Sequence, residues 1–168
     1  VQEKTYKKMV EAQPPLDEMS LYTDGRIEVH HPGEFTAQAY LDRGAYDVFS
    51  FGPILIRDGV IDARLEKFFT SAQPRSAIGM IEPGHYVGVM VEGRTKRSFG
   101  ASLKFVAGVM KERGCTLAFN LDGGQTSAMV FMGTLVMKEP TYNGYTNTRN
   151  QPDIIGIGTS DDVKVFHK

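Results

Sequence analysis

Residues 76–91 read SAIGMIEPGHYVGVMV, and this stretch decides the fold class. Two apolar runs of strand length, residues 76–81 and 86–91, are separated by a turn that contains Pro83-Gly84. Proline pre-sets the backbone for the first corner of a turn, and glycine accepts the conformation that follows. The stretch therefore predicts a β-hairpin made of two long strands.

Short apolar runs on both sides of this hairpin predict further strands. Residues 19–22 and 26–30 flank Asp24-Gly25, a pair that favours a tight hairpin turn. The other predicted strands are residues 46–51, 54–57, 116–120, 128–132, 135–137, 154–159 and 163–166, with a second hairpin about Gly133-Thr134. So many short runs predict a strand-rich domain.

The strongest helical pattern covers residues 102–113. Its apolar face consists of residues spaced three or four apart, which are Leu103, Val106, Ala107 and Met110. Ser102 is suited to cap the start of this helix, and Gly114 is suited to end it. A shorter helix is predicted over residues 36–44. Together these patterns predict an α+β fold, a strand-rich single domain with a mixed or antiparallel sheet and one or two packed helices.

Composition limits the classes of function. The chain has 168 residues, which corresponds to one domain, and 19 Lys and Arg balance 20 Asp and Glu to give a net charge of −1. This balance excludes a strongly basic nucleic-acid-binding domain. We expect no nucleic-acid partner and no membrane span in this chain. Residues 1–18 are polar and contain Pro14-Pro15, so they predict a loosely held N-terminal segment before a domain at residues 19–168.

Sulfur-containing and histidine side chains give weak indications of chemistry. Cys115, the single cysteine, is interpreted as a buried structural thiol. Three methionines are interpreted as core residues: Met129, Met132 and Met137. His30 and His31 are adjacent on a predicted strand, so they point to opposite faces and do not share a metal ion.

Residues 120–127, NLDGGQTS, follow a predicted buried strand and are the strongest candidate for a ligand site. The two glycines allow a ligand to approach the backbone. The side chains supply a carboxylate, two amides and two hydroxyls, which suit a polar ligand. The same residues also suit an Asp-Gly-Gly turn between two strands, and glycine-rich motifs are weak signals by themselves. The residues alone leave both interpretations open.

Two arginines stand at the ends of predicted strands. Arg75 opens the strand at residues 76–81, and Arg94 follows the strand that ends at residue 91. A guanidinium group can donate two parallel hydrogen bonds to a phosphate. Surface salt bridges are the alternative interpretation. For Arg94 a solvated basic turn is a further alternative, because Lys96 and Arg97 lie beside it.

Four segments resemble, in order, motifs of the phosphodiester glycosidase family. They are FSFGPILI at residues 49–56, PRSAIG at residues 74–79, VEGR at residues 91–94 and NLDGGQTS at residues 120–127. Asp58-Gly59 and Arg149, which precedes PDII at residues 152–155, extend the likeness. The resemblance covers residues 19–160.

The resemblance implies a hydrolase that cleaves a sugar-1-phosphodiester, such as an N-acetylglucosamine-1-phosphodiester, and releases the sugar. It implies that Arg75 binds the phosphate and that Asp122 is the catalytic carboxylate or a sugar-orienting group, with Glu92 as a second carboxylate. The residues expected to bind or support the substrate are Asn120, Gly123, Gly124, Gln125, Thr126, Ser127, Arg94 and Arg149.

Four departures from the family pattern affect the site. Residues 1–18 do not match the segment that usually lies upstream, Glu92 stands for aspartate, Gln125 stands for glycine and Ala128 stands for threonine. We therefore expect an upstream segment of the same protein as a partner of the site. The alternative function is a non-catalytic glycan- or phosphate-binding module of a larger surface protein.

The resemblance also implies a location and a partner class. Work on surface or extracellular glycans implies an extracytoplasmic location, and a sugar phosphate or glycan is the expected partner. No cofactor is required by these residues, and a divalent cation at Asp122 is left open.

Overall fold

Ten short strands and two helices make up the part of the chain that the computed structural model describes, residues 16–137, 149–151 and 154–158. In chain order they are β1 (Asp17–Leu21), β2 (Ile27–His30), α1 (Ala37–Asp42), β3 (Asp47–Phe51), β4 (Ile54–Arg57), β5 (Val60–Ile61), β6 (Arg75–Glu82), β7 (His85–Val91), α2 (Leu103–Glu112), β8 (Leu117–Leu121), β9 (Val130–Phe131) and β10 (Thr134–Leu135). Short 3-10 turns add Ala63–Glu66 and Gly124–Thr126. Most of the predicted N-terminal segment, residues 1–15, lies outside the described residues.

The strands form three antiparallel sheets. One sheet has the strand order β2-β1-β3, a second has the order β5-β4-β8-β6-β7, and β9 pairs with β10. The hairpin predicted at residues 76–91 is the β6–β7 pair, with Arg75 opposite Val91 and Met80 opposite Tyr86. Every pairing among the described strands is antiparallel. The predicted α+β fold is confirmed.

The core lies on both faces of the five-stranded sheet. One cluster joins Met19 and Val29 of the three-stranded sheet to Phe119 of the five-stranded sheet. The opposite face of the five-stranded sheet packs on α2, where the predicted apolar residues Leu103, Val106, Ala107 and Met110 are all fully buried. Helix α1 covers the outer face of the three-stranded sheet through Tyr40. The layers therefore run α2, five-stranded sheet, three-stranded sheet, α1.

Both helices begin at the caps that the sequence predicts. The Ser102 hydroxyl accepts the Phe105 amide at 3.2 Å, and the Thr36 hydroxyl accepts the Ala39 amide at 3.2 Å. Each cap satisfies a first-turn N–H group that has no partner within the helix. The predicted helix at residues 102–113 is therefore confirmed, with α2 ending at Glu112.

The chain after residue 127 departs most from the sequence-based expectations. Residues 154–158 have no regular secondary structure, so the predicted strand is wrong there. The hairpin turn is Met132-Gly133, one residue earlier than predicted, because Phe131 pairs with Thr134. Met132 is 88% exposed, which contradicts its interpretation as a core residue, whereas Met137 is buried. An apolar run enters a core only where a second layer covers it.

Asp17 connects the two larger sheets. Its buried carboxylate accepts the Ile54 amide at 2.8 Å, the Arg64 Nη2 at 2.5 Å and the His31 Nδ1 at 3.2 Å. Burial alone would raise the pKa of Asp17, but the hydrogen bonds from Arg64, Ile54 and His31 outweigh it and lower the pKa. The carboxylate is thus fixed in its charged form at the junction of β1 and β4.

A second ion pair supports the loop after β2. Arg57 donates to both oxygens of Glu34, at 2.6 and 3.0 Å. The Arg57 hydrogen bonds lower the pKa of Glu34 to about 2, and the His31 amide contributes in the same direction. Both side chains of the pair are about one-third exposed, 37% for Arg57 and 31% for Glu34. Solvent therefore screens this interaction.

Candidate functional site

The start of β6 and the end of β8 meet at one edge of the five-stranded sheet. The two strands are antiparallel, with Ser76 opposite Leu121 and Ala77 opposite Asn120. Arg75 stands one position before Ser76, and Asp122 stands one position after Leu121. The register therefore brings Arg75 and Asp122, which are distant in sequence, to the same edge.

The Asp-Gly-Gly segment forms a turn that packs against the residue before β6. The Gly124 amide donates to the Pro74 carbonyl at 2.9 Å. A Cβ on Gly123 would lie 2.8 Å from the same Pro74 oxygen, which is too close for any larger residue. Gly124 has a φ of +61° and begins the 3-10 turn, which the Thr126 hydroxyl closes by donating to the Gly123 carbonyl at 2.7 Å. Packing therefore requires glycine at position 123, and the left-handed backbone favours glycine at position 124.

Arg75 is half-buried, and backbone carbonyls hold its guanidinium group. Nε donates to the Ala101 carbonyl at 3.1 Å, and Nη2 donates to the Ser71 carbonyl at 3.0 Å. Burial lowers the pKa of Arg75, and the nearby Arg94 guanidinium lowers it further. Among the described residues no carboxylate forms an ion pair with Arg75. Its positive charge is thus available to an anionic ligand.

Arg94 reaches the same turn from the residues that follow β7. Its backbone is left-handed, with a φ of +56°. A Cβ on Gly124 would lie 3.4 Å from each of the two terminal nitrogens of Arg94. Gln73 holds the guanidinium by accepting Nε at 2.8 Å and Nη2 at 2.6 Å. No pattern in the sequence indicates this function for Gln73, although it stands directly before the Pro74-Arg75 motif.

Asp122 joins the turn to the segment at residues 149–151. Oδ1 accepts the Gly123 amide at 2.8 Å. Oδ2 accepts Arg149 Nη2 at 2.6 Å and Gln151 Nε2 at 3.0 Å. Both carboxylate oxygens are therefore engaged. Gln151 is a second site residue that no sequence pattern indicates, apart from its position two residues after Arg149.

Buried polar atoms without a partner concentrate at this edge. The described residues contain five buried side-chain oxygen or nitrogen atoms without a hydrogen-bond partner, and three of them are Asn120 Oδ1, Ser76 Oγ and Ser127 Oγ. Asn120 is held by its Nδ2, which donates to the Gly52 carbonyl at 2.9 Å. An unpaired buried polar atom costs about 1–3 kcal/mol, so natural proteins place such atoms where they have a use. Asn120 pairs with Ala77, so its side chain lies on the same face of the sheet as Arg75, whereas Ser76 points to the other face. Asn120 Oδ1 and Ser127 Oγ, which lies beside Gly123, are therefore the two of these atoms that suit a ligand rich in hydroxyl groups.

Two further predicted site residues, Glu92 and Gln125, lie next to residues of this edge. Glu92 follows β7 directly, next to Val91, which is the cross-strand partner of Arg75. The Glu92 carbonyl accepts the Ser98 hydroxyl at 2.6 Å. Gln125 contributes its carbonyl, which accepts the Arg149 amide at 3.2 Å. The site assignments for Glu92 and Gln125 stay predictions.

Asp17, His31 and Asp62 form the one group of described residues with a spacing that suits a metal ion, since their ligand atoms all lie within 4.8 Å of one another. Arg64 Nη2 lies 2.5 Å from a carboxylate oxygen of each aspartate. A guanidinium group thus already supplies the positive charge between the two carboxylates. We assign this cluster to the structural connection between the sheets.

Taken together, the edge presents two guanidinium groups, one fixed carboxylate and the buried polar atoms of Asn120 and Ser127. Guanidinium groups bind phosphate, whereas amides and hydroxyls bind sugar hydroxyls. The arrangement therefore suits a ligand that is both anionic and rich in hydroxyl groups. No helix in the described ranges is long and apolar enough to cross a membrane.

Comparisons with known proteins identify relatives of this chain in sequence and in fold. The chain is 32% identical over 120 residues to the SPbeta prophage-derived uncharacterized protein YomE of Bacillus subtilis (strain 168). The aligned region covers 68% of this chain and 18% of that protein. It shares its fold with the catalytic domain of zebrafish N-acetylglucosamine-1-phosphodiester alpha-N-acetylglucosaminidase, auto-inhibited by its pro-peptide. That match has a TM-score of 0.63 and 21% identity, and it covers 82% of this chain and 49% of the zebrafish chain.

The family itself is shown by a sequence match that spans the site. A family model described as phosphodiester glycosidase matches residues 2–158, which include every residue of the candidate site. The chain spans about half of the solved zebrafish chain and less than a fifth of the Bacillus subtilis protein. It belongs to the phosphodiester glycosidase family.

Proposed function

We propose that this chain carries the site of a glycosidase that hydrolyses a sugar-1-phosphodiester and releases the free sugar. Membership of the phosphodiester glycosidase family supports this class of reaction. The name of the zebrafish protein that shares the fold makes N-acetylglucosamine the first sugar to test. The observation that carries the proposal is the half-buried Arg75, held by carbonyl groups beside Arg94 at the Gly123-Gly124 turn.

The charge change of the reaction explains why two arginines suit this site. Water adds to the anomeric carbon, the bond from that carbon to the phosphate oxygen breaks, and the electron pair stays on the phosphate. A phosphodiester carries one negative charge, and the departing phosphomonoester gains a second as the carbon–oxygen bond breaks, while the attacking water loses its proton to solvent. Arg75 and Arg94 therefore interact more strongly with the leaving group in the transition state than with the bound substrate.

Asp122 is proposed to stabilise positive charge on the sugar. Cleavage at the anomeric carbon passes through an oxocarbenium-like state, which a nearby carboxylate stabilises. Both oxygens of Asp122 already accept hydrogen bonds, from Gly123, Arg149 and Gln151. A carboxylate engaged in this way is a weak nucleophile. We therefore assign Asp122 an electrostatic and orienting function rather than covalent attack.

Three further proposals concern the rest of the site, its location and its substrate. We propose that residues outside this chain complete the site in the whole protein, because the chain spans only part of its relatives. We further propose an extracytoplasmic location and a surface or extracellular glycan as substrate, since these suit an enzyme that acts on sugar phosphodiesters.

Sugar release tests the proposal directly. The substrates are N-acetylglucosamine 1-methylphosphate and uridine diphosphate N-acetylglucosamine, and the proteins are this chain and the whole protein from which it comes. We expect turnover with at least the whole protein, and Arg75→Ala should abolish it without unfolding the domain. Arg113→Ala is the matched control, because Arg113 is exposed at the end of α2.

The two proteins and the two variants separate the outcomes. Turnover by this chain alone would show that residues 1–168 hold a complete site. Binding of these ligands without turnover by either protein would support the non-catalytic binding module instead. Unchanged turnover in Arg75→Ala would overturn the assignment of Arg75.

A further inference from the structure

Gln73 stands immediately before the Pro74-Arg75 motif, and its backbone is fixed on both sides. Its N–H donates to the Ala101 carbonyl at 3.2 Å, and its carbonyl accepts the Ala101 N–H at 2.9 Å. The side chain is partly buried. Gln73 therefore has a defined position at the edge where the candidate site lies.

The side chain of Gln73 holds Arg94. A single amide oxygen accepts both Nε, at 2.8 Å, and Nη2, at 2.6 Å. Two hydrogen bonds to one oxygen fix the plane of the guanidinium group as well as its position. The same guanidinium group lies against Gly124, the glycine that begins the 3-10 turn. Gln73 thus fixes where Arg94 meets the turn.

Ala101 connects Gln73 to the second arginine of the site. The Ala101 carbonyl accepts the Gln73 N–H at 3.2 Å and also the Arg75 Nε at 3.1 Å. The β-bridge between Gln73 and Ala101 therefore positions both guanidinium groups. The Ala101 carbonyl holds Arg75, and the Gln73 side chain holds Arg94. Like charges repel, so two arginines near each other need such fixed acceptors.

We propose that Gln73 is a positioning residue that places Arg94 beside Arg75 for binding the phosphate group, and that its absence of charge is essential to this function. The inference rests on the proposed function, because it assumes a phosphate at the two arginines. The inference adds a requirement on residue 73, which holds Arg94 in place. The acceptor must fix Arg94 without contributing a negative charge to an anion-binding site.

The distinction between glutamine and glutamate makes the inference testable. A glutamate at position 73 would still accept Nε and Nη2 of Arg94, with stronger hydrogen bonds than an amide makes. It would also place a negative charge within hydrogen-bond distance of a group that has to attract phosphate. At such range and partial solvent exposure, one unit charge changes the affinity for an anion by about tenfold.

The experiment compares two variants at this position. Gln73→Glu keeps the acceptor and adds charge, whereas Gln73→Met keeps the side-chain length, removes the acceptor and adds no charge. Gln38→Glu in α1 is the matched control for added charge, because Gln38 is exposed and contacts Asp42 rather than the candidate site. We measure the KM and kcat for N-acetylglucosamine 1-methylphosphate, the Kd for inorganic phosphate and the melting temperature.

We expect the KM and the phosphate Kd to rise about tenfold in Gln73→Glu and by a smaller factor in Gln73→Met. The melting temperature of Gln73→Glu should equal or exceed that of the wild type. Gln38→Glu should keep the wild-type KM and phosphate Kd, with a slightly lower melting temperature because its added carboxylate faces that of Asp42 one helical turn away. A merely structural hydrogen bond would give the reverse order, with Gln73→Met more impaired than Gln73→Glu. That order, or wild-type binding in Gln73→Glu, overturns the inference.

Failure of the proposed function gives a different result from failure of this inference. If the wild-type whole protein neither binds phosphate nor releases sugar, the proposed function fails and the assignment of Gln73 fails with it. If the wild type is active and both variants keep its KM and phosphate Kd, only the inference about Gln73 fails. The melting temperatures show whether either variant has simply lost the fold.

Discussion

Arg149 and Asp122 are joined by an ion pair, with 2.6 Å between Nη2 and Oδ2, across 27 residues of sequence. Gln151 donates to the same oxygen at 3.0 Å. The carboxylate of the Asp-Gly-Gly turn therefore holds two residues of a distant segment. This contact links the turn after β8 to the site residues at positions 149–151.

The first prediction concerns the charge of Asp122. Asp122→Asn preserves size and one acceptor oxygen but removes the negative charge, so it should lower kcat for the sugar phosphodiester by about 100-fold. Steady-state kinetics measures the change. Asp24→Asn is the matched control, because Asp24 also lies in an Asp-Gly turn but is exposed and distant in the fold. A wild-type kcat in Asp122→Asn would contradict the proposed electrostatic function.

The second prediction concerns the close approach at Gly123. Gly123→Ala would place a Cβ 2.8 Å from the Pro74 oxygen, so we expect the free energy of unfolding to fall by about 2 kcal/mol. Gly108→Ala is the control in the opposite direction. Gly108 lies inside α2 with nothing within 4 Å of its Cβ position, so alanine there should stabilise the protein by up to about 1 kcal/mol. Urea unfolding measures both changes, and equal effects of the two substitutions would refute the packing argument.

The third prediction concerns Asp17. Asp17→Asn removes the charge that Arg64 needs and sets an NH₂ group among donors from Ile54 and His31, so it should cost about 3 kcal/mol of unfolding free energy. Asp58→Asn is the control, because the Asp58 side chain is 93% exposed. Its unfolding free energy should change by less than about 0.5 kcal/mol. A small effect of Asp17→Asn would show that the sheets do not depend on this carboxylate.

The fourth prediction concerns acid stability. The pKa of Glu34 is about 2 in the folded protein, below the ordinary value of 4.5. A lowered folded-state pKa adds stability above the unfolded-state pKa, and this stability is lost as pH falls from 4.5 toward 2. Because the pair with Arg57 is partly exposed, the contribution is about 1 kcal/mol.

Unfolding of Glu34→Gln as a function of pH measures this contribution. The variant should be less stable than the wild type by about 1 kcal/mol at pH 7. The difference in unfolding free energy between the two proteins should shrink as pH falls from 4.5 and should vanish near pH 2. Comparison of the two proteins isolates Glu34, since Asp17 titrates in the same direction in both. A difference that is constant with pH would exclude the ion pair as its source.

Local patterns account for the parts of the fold that the sequence predicted well. The Asp24-Gly25 hairpin, the cap at Ser102 and the apolar face of α2 each depend on residues within a few positions of one another. Such features are determined by backbone preference and periodicity. For the same reason the turn at Gly123 and Gly124 could be anticipated as a turn before its neighbours were known.

Long-range contacts account for what the sequence did not predict. Nothing local to Gln73 indicates that it holds Arg94, because 21 residues separate them. Met132 is apolar like a core residue, yet no second layer covers it among the described residues. Similarly, the run at residues 154–158 is apolar enough for a strand but has no described strand beside it.

The antiparallel register of β6 and β8 has a consequence for how such a site can change during evolution. Asn120 faces the same side of its sheet as Ala118 because side chains alternate along a strand. Deleting or inserting one residue within β8 would turn Asn120 to the opposite face and move Asp122 out of line with Arg75. We therefore expect relatives to tolerate many substitutions in this strand but no change in its length, so that gaps in their alignments fall in the loops instead.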